Sequence, residues 1–213
     1  MATATDKMAA PSLISDFHCH ILPGVDDGVR TMEDSLAILN EYESLGISTV
    51  WCTPHVMEDC PNTTEGLKAR FSQLQQEYKG TISLNLAAEY MMDNLFLERL
   101  EAGDILALDG KVLVETSYFN PPANLDYILE KIKSKGFFPI LAHPERYMYM
   151  SKDDYRKYKA SDVFFQMNLG SVKGYYGKHV KRKARWLKRK GFYDYSGSDL
   201  HSRNMVTDIF GQE

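Results

Sequence analysis

The chain of 213 residues has only three cysteines, Cys19, Cys52 and Cys60, and none forms a CxxC pair. An odd, unpatterned set excludes a disulfide framework and a zinc knuckle, so a reducing compartment, the cytoplasm, is the expected setting. No apolar run approaches the roughly 18 residues of a membrane span. The opening stretch, Met1 to Pro11, is rich in Ala and Thr and lacks the apolar core of a secretory leader. A basic excess is also missing: 25 Lys and Arg face 29 Asp and Glu, for a net charge of −4. A general nucleic-acid binder is therefore not expected. There is no GxxxxGK[ST], GxGxxG or GxSxG motif. Val25, Glu58 and Gly66 stand where a C-x5-R phosphatase would place its arginine, so a cysteine nucleophile has no phosphate cradle.

What is present is ordinary globular material, 44% hydrophobic and 25% charged. That suffices for one large domain or at most two small ones, whose core needs no covalent staples. Residues 1–12 are expected to form a poorly ordered tail and 13–213 a single α/β domain. Strand-like runs fall at Leu13–Phe17, Ile47–Cys52, Ile82–Ala87, Lys111–Val114, Phe137–Leu141, Val163–Met167 and Phe192–Ser196. Amphipathic stretches separate them, the clearest being Thr31–Leu45, with Met32, Leu36, Leu39 and Tyr42 at helical spacing and Gly46 as its stop. Further helices are expected over Thr64–Tyr78, Asp93–Glu101, Asn124–Lys135, Lys152–Lys159 and Lys178–Lys190. Alternating strands and helices imply parallel strands joined by crossovers. About seven such units exceed a small open sheet and suggest a barrel-like closure, although periodicity alone also allows an open sheet.

Five of the six histidines follow one rule. His18 and His20 end the first strand, His55 follows the second and His143 follows the fifth; Asp199 and His201 follow the last, while Glu89 and Glu115 close the third and fourth. In a parallel barrel all these strand ends open on one face, where sites are built. His18 and His20, two apart, leave the same side of a strand; Asp199 and His201 do so if that segment is extended. Such an inventory of imidazoles and carboxylates suits a transition-metal site. It exceeds what one ion needs, so two or three ions are implied, an arrangement used in phosphate ester hydrolysis. Asp26 and Asp27 can both reach the same mouth, although an Asp-Asp-Gly also makes a turn. Arg146 is placed either to clamp a phosphate or to pair with Glu145 or another surface acid. The sixth histidine, His179, lies in a basic helix and is expected at the surface.

The ordered set DFHCH, VDDG, TPH, AAEY, LVETS, LAHPERY and GSDLH resembles the polymerase and histidinol phosphatase (PHP) superfamily, and within it the bacterial capsule and exopolysaccharide protein-tyrosine phosphatases. The resemblance covers roughly Asp16 to Arg203. It implies a distorted (β/α)7 barrel with a trinuclear, usually manganese-dependent centre, iron or zinc being alternatives. The implied activity is hydrolysis of phosphotyrosine by a metal-bound hydroxide, on the tail of a membrane-associated tyrosine autokinase that controls polysaccharide export. Carried onto this chain, one metal would be held by His18, His20, Glu89 and Asp199, and a second by Glu89, Glu115 and His143. A third would take Asp27, His55 and His201, and Arg146 would bind the substrate phosphate. The same motifs imply that Asp16 orients a histidine. The family usually continues beyond SDxH with a closing helix; twelve residues follow His201 here, so that helix is expected to be missing. A histidinol-phosphate or other small phosphomonoesterase is the alternative within the fold, and a non-catalytic regulator binding the kinase tail is the alternative outside catalysis.

Residues 178–190 carry eight Lys and Arg. They read as a solvated helix with Val180, Ala184, Trp186 and Leu187 turned inward. A second reading is steering of an anionic phosphopeptide or contact with an acidic membrane surface.

Overall fold

A computed structural model describes residues 15–211. The expected tail, 1–12, and the start of the first predicted strand lie outside these residues. Nine strands alternate with eight α-helices: β1 Ser15–Cys19, α1 Met32–Ser44, β2 Thr49–Cys52, β3 His55–Val56, α2 Thr64–Glu77, β4 Ser83–Leu86, β5 Glu89–Met91, α3 Asn94–Ala102, β6 Lys111–Glu115, α4 Leu125–Ser134, β7 Phe138–Ala142, α5 Lys152–Ala160, β8 Phe164–Asn168, α6 Leu169–Lys173, α7 Gly177–Arg189, β9 Tyr195–Gly197 and α8 Asn204–Phe210. Every predicted helix is found, and the helix ends follow from local chemistry. Thr31 and Asp93 are caps outside their helices, accepting from Asp34 N and Phe96 N. The short helix α8 follows His201 and buries Met205, Val206 and Ile209.

All strand pairs are parallel, in two sheets ordered β1-β2-β4 and β3-β5-β6-β7-β8-β9. The second and third predicted strands are each followed, after a two-residue break, by a further short strand that the sequence reading did not include. Thr53 and Pro54 separate β2 from β3, and proline has no N–H for a ladder; Ala87 and Ala88 separate β4 from β5. Single backbone bonds cross the gaps, Ala87 N to Cys52 O at 2.9 Å and Glu89 N to Pro54 O at 3.0 Å. Beyond β9, Asp199 N donates to His18 O at 2.7 Å and His20 N to Leu200 O at 2.9 Å, so the chain's last strand exit runs beside its first. The result is an α/β fold around a curled parallel sheet.

Two apolar layers sort the side chains. The convex layer packs helix residues such as Ile38, Leu74, Ile128 and Leu187 on Val50, Val112, Leu141 and Phe165. The concave layer joins Trp51, Ala87, Leu113 and Ile140 with Phe17, Phe164 and Tyr195. Strand alternation then dictates what lies one step further along the concave face: Glu89 above Ala87, Glu115 above Leu113 and Gln166 above Phe164. β1 gains its second inward residue through a bulge. Asp16 pairs with Val50 and Cys19 with Cys52, three steps against two, which lets Phe17 enter the concave layer and His18 the site above it.

Candidate metal centre

All nine residues singled out as ligands converge at the strand exits. His18, His20, Glu89 and His143 are fully buried, Glu115 and Asp199 nearly so, while Asp27 stands out into solvent. Around one point, His18 Nε2 lies 3.0 Å from Glu89 Oε2 and 3.5 Å from Asp199 Oδ1, and His20 Nε2 lies 3.2 and 3.5 Å from the same two oxygens. Around a second, His143 Nε2 is 3.1 Å from Glu89 Oε1 and 3.7 Å from Glu115 Oε2. His55 Nδ1 is 3.3 Å from both Glu89 and Glu115. Around a third, Asp27 Oδ1 sits 3.6 Å from His55 Nε2 and 3.4 Å from His201 Nε2. Donors bonded at about 2.0–2.2 Å to one cation are about 3.0–3.5 Å from each other, close to the spacing found here.

The outer hydrogen bonds fix which imidazole nitrogens carry protons. Gln166 Oε1 accepts from His143 N at 3.1 Å and therefore also accepts from His18 Nδ1 at 2.9 Å. The Asp26 carboxylate accepts from His20 Nδ1 at 2.8 Å, and Asp199 O accepts from His201 Nδ1 at 2.9 Å. The Nε2 atoms left over are the positions open to a proton or a cation, and those of His18 and His20 face one another at 3.1 Å. Two buried lone pairs at that distance repel unless a proton or a cation lies between them. Glu89 Oε2 and His55 Nδ1, both central to the cluster, are buried without a hydrogen-bond partner. The donor set thus fits divalent cations better than it fits itself.

Protonation follows the same logic. Burial opposes charge on His18 and His20, yet the neighbouring Glu89 and Asp199 hold both above the ordinary imidazole value. Burial, with His20 nearby, lowers His55 to about 4 and also lowers His201. Burial together with Glu89 and Asp199 pushes Glu115 well up. Against its own burial, Glu89 is held well down by His18, His143 and His20.

Several site features run against the sequence reading or lie outside it. Asp199 and His201 do not share an extended segment: Asp199 has φ 53° and His143 φ 33°, left-handed values that store strain at functional positions. Arg146 does not pair with Glu145. Its Nη1 donates to Asp199 Oδ2 at 2.7 Å, and its guanidinium is stacked between Tyr118 and Tyr176 at 4.2 and 4.1 Å from the ring centres. Glu145 is buried, accepting from Asn168 N and the Tyr193 hydroxyl. Asp16 grips backbone rather than an imidazole, accepting from His18 N, Ser198 N and the Tyr42 hydroxyl. Of the acidic pair, Asp27 faces the imidazoles and Asp26 supports His20 from behind. Gln166, Asn168 and Tyr118 lie outside the sequence reading; the polar Gln166 and Asn168, two apart in an otherwise apolar strand, are the signal that marks the first two. Two glycines make room: a Cβ on Gly197 would lie 2.5 Å from His18 Cβ, and one on Gly28 2.3 Å from His20 O. The cavity over the cluster measures about 240 Å3, with Tyr118, Tyr175 and Tyr176 on its walls.

Comparison with known proteins places this arrangement. The sequence model of a family described as capsular polysaccharide synthesis, CpsB/CapC, matches residues 14–207. The chain belongs to that family. It is 26% identical over 195 residues to the tyrosine-protein phosphatase YwqE of Bacillus subtilis (strain 168), covering 88% of this chain and 77% of YwqE. It is 28% identical over 200 residues to the tyrosine-protein phosphatase CpsB of Streptococcus pneumoniae, covering 88% and 82%. A crystal structure from a study of YwqE and CpsB, described as unique metal-dependent tyrosine phosphatases, aligns with TM-score 0.81 and 23% identity over 93% of this chain and 88% of that one. This CpsB/CapC member therefore shares their fold.

Proposed function

We infer that this CpsB/CapC protein is a metal-dependent protein-tyrosine phosphatase of capsule or exopolysaccharide synthesis. The carrying observation is the cluster of five imidazoles and four carboxylates whose ligand atoms converge at cation spacing. His18, His20, Glu89 and Asp199 would hold one ion; Glu89, Glu115 and His143 a second; and Asp27, His55 and His201 a third. His55 Nδ1, close to Glu89 and Glu115, links the last two groups. Divalent ions bound there acidify water and neutralise phosphoryl charge. Four carboxylates balance two divalent cations; a third leaves two positive charges, which a phosphomonoester dianion matches. Manganese is the metal the family resemblance implies and the four carboxylates suit, with iron or zinc as the alternatives that the imidazoles also accept. The arrangement reads as a (β/α)7 barrel, supported by the backbone bonds that join the exits of β9 and β1.

Arg146 is the phosphate-binding group. Asp199 engages one of its nitrogens and the two tyrosines fix its plane, leaving further N–H donors on a residue that lines the cavity. Tyr118 and Tyr176 shield that guanidinium from water, so its bonds to phosphate gain strength. Gln166, Asp26 and the Asp199 carbonyl keep three imidazoles in the tautomer that presents Nε2. The substrate is the phosphotyrosine tail of a membrane-associated tyrosine autokinase, met in the cytoplasm. The three free thiols are in keeping with that compartment. Residues 13–213 act as one catalytic domain. A complete ligand set weighs against a non-catalytic regulator.

The test is phosphate release from phosphotyrosine peptides and from histidinol phosphate, before and after chelation and with manganese restored. Hydrolysis of the peptides that vanishes with chelator and returns with manganese is expected. Activity indifferent to chelator would refute the mechanism, and a large preference for histidinol phosphate would reassign the substrate.

A further inference from the structure

The basic helix α7 carries eight Lys and Arg between 178 and 190, and among the described residues none of them has a carboxylate within 4.0 Å. The contrast with neighbouring helices is sharp. On α4 and α5, Lys131, Lys133, Arg156, Lys157 and Lys159 are all paired with acids. Like charges at three- and four-residue spacing destabilise a helix, as does Lys178 in the first turn. The chain has acids to spare, with 29 against 25 bases, yet leaves this cluster without counter-charge.

The cations do not project from a flat face. Arg182, Lys183, Trp186 and Arg189 line one wall of a groove of about 960 Å3, whose other wall is Lys152 and Tyr155 of α5 with Met150 before it. No acidic residue lines it. Its floor is aromatic and apolar: Trp186 is half-buried and lies beside Lys152 and Arg156 at 5.5 and 5.9 Å, and Tyr155 is fully covered. A groove with cationic rims and an aromatic floor accommodates an extended acidic chain better than it does a planar lipid surface.

Its position ties it to the site. Tyr175 and Tyr176, on the wall of the metal-site cavity, immediately precede α7. At about 1.5 Å per residue along the helix, Arg182 stands some 9 Å and Arg189 some 20 Å from Tyr176. An extended peptide advances about 3.3 Å per residue, so these arginines lie about three to six residues from a side chain seated in the cavity.

We propose that the α5–α7 groove is a docking site for an acidic peptide segment lying about three to six residues from the phosphotyrosine in the substrate chain, with its carboxylates on Arg182, Arg185 and Arg189 and an apolar or aromatic side chain against Trp186. This rests on the phosphatase reading for its benefit to turnover but not for binding itself. The groove gives the enzyme sequence preference that a phosphate-centred site lacks, and it makes association salt-dependent.

The experiment uses the full chain and two readouts. The first is binding, followed by the fluorescence of Trp186 in a Trp51→Phe background. The probes are a non-phosphorylated peptide with four Asp or Glu and one Phe, and the same peptide with Asn and Gln in place of the acids. The second is kcat/KM on phosphotyrosine peptides with and without the acidic segment, and on a small aryl phosphate. Expected results are a saturable Trp186 signal with the acidic peptide only, lost in Arg182→Glu/Arg189→Glu, and about a tenfold gain in kcat/KM from the acidic segment. The double variant should abolish that gain while leaving the aryl phosphate rate unchanged. Absence of hydrolysis with binding intact would count against the phosphatase reading and not against the groove. Equal binding of acidic and neutral peptides would overturn the proposal, as would binding to phosphatidylserine vesicles without binding to the peptide.

Discussion

Asp26 touches no proposed ion, yet replacing it with asparagine should loosen the centre. Its Oδ2 accepts from His20 Nδ1 at 2.8 Å and from His55 N at 2.9 Å, and its Oδ1 accepts from Gly28 N at 2.9 Å. Asparagine keeps the shape but has one oxygen. If that oxygen stays on His20 and His55, the amide group meets the Gly28 N–H as donor against donor. Two charge-assisted bonds, each about 1.5–3 kcal/mol, fall to neutral strength of about 0.5–1.5 kcal/mol, and the third is lost. The fold should lose roughly 3.5–6 kcal/mol, about 7–24 °C in melting temperature for a domain of this size. The His20 tautomer is also held by a weaker, neutral acceptor, and outer-shell losses of this kind cost about 10–100-fold in metal affinity. Differential scanning calorimetry of metal-free protein measures the first effect, and manganese competition against a metallochromic dye the second. Asp26→Asn with parental melting temperature and metal affinity would refute the claim that the carboxylate fixes His20.

Other substitutions separate the parts of the site. Arg146→Lys keeps the charge but loses the planar fork held between Tyr118 and Tyr176, so kcat/KM on an aryl phosphate should fall about 10–100-fold; a smaller change would remove Arg146 from phosphate binding. Gly197→Ala would place a Cβ 2.5 Å from His18 Cβ and 2.7 Å from His18 N, and should cost about 1–3 kcal/mol by overpacking, read as a lower melting temperature. Burial raises Cys52 to about 12 and Cys19 well above the ordinary thiol value, and both are covered. Iodoacetamide at pH 8 should label only the half-exposed Cys60 without loss of activity, whereas labelling of Cys19 in folded protein would contradict that burial.

The sequence made the site more legible than the architecture that carries it. His18, His20, His55, His143 and His201 are each bound to a strand exit by an apolar run, and that rule depends only on local pattern and parallel topology. The breaks at Pro54 and Ala88 and the β1 bulge were not legible, because each depends on which strand lies alongside. Gly197 illustrates the same limit: its need for a missing side chain comes from His18, far away in the chain. The cap residues Thr31 and Asp93 were readable to within one position, since a cap is decided within four residues. The stacking of Arg146 between Tyr118 and Tyr176 was not, because its partners come from the loop after β6 and the segment before α7. Asp26 and Asp27, adjacent in sequence, divide between support and ligation according to how the loop meets β1 and β3.

The charges of the metal-free centre also determine how it must load. Against burial, Glu89 and Asp199 keep protons on His18 and His20 above the ordinary imidazole value, and burial with those same two carboxylates keeps one on Glu115 well above the usual carboxyl range. Near neutral pH the cluster is therefore held together partly by protons, situated where cation ligands need free lone pairs. A cation entering there must displace them, so binding is coupled to proton release and strengthens as pH rises through the raised values. His55 and His201, lowered by burial and by His20, are already neutral at pH 7, so the outer group of Asp27, His55 and His201 should load with little proton release. Manganese titrations by calorimetry at pH 7, in two buffers of different ionisation enthalpy, count the protons. Release of about one proton or more is expected for the inner ions and close to none for the outer one. An enthalpy identical in both buffers would mean the inner imidazoles are already free, and the electrostatic account of this centre would fail.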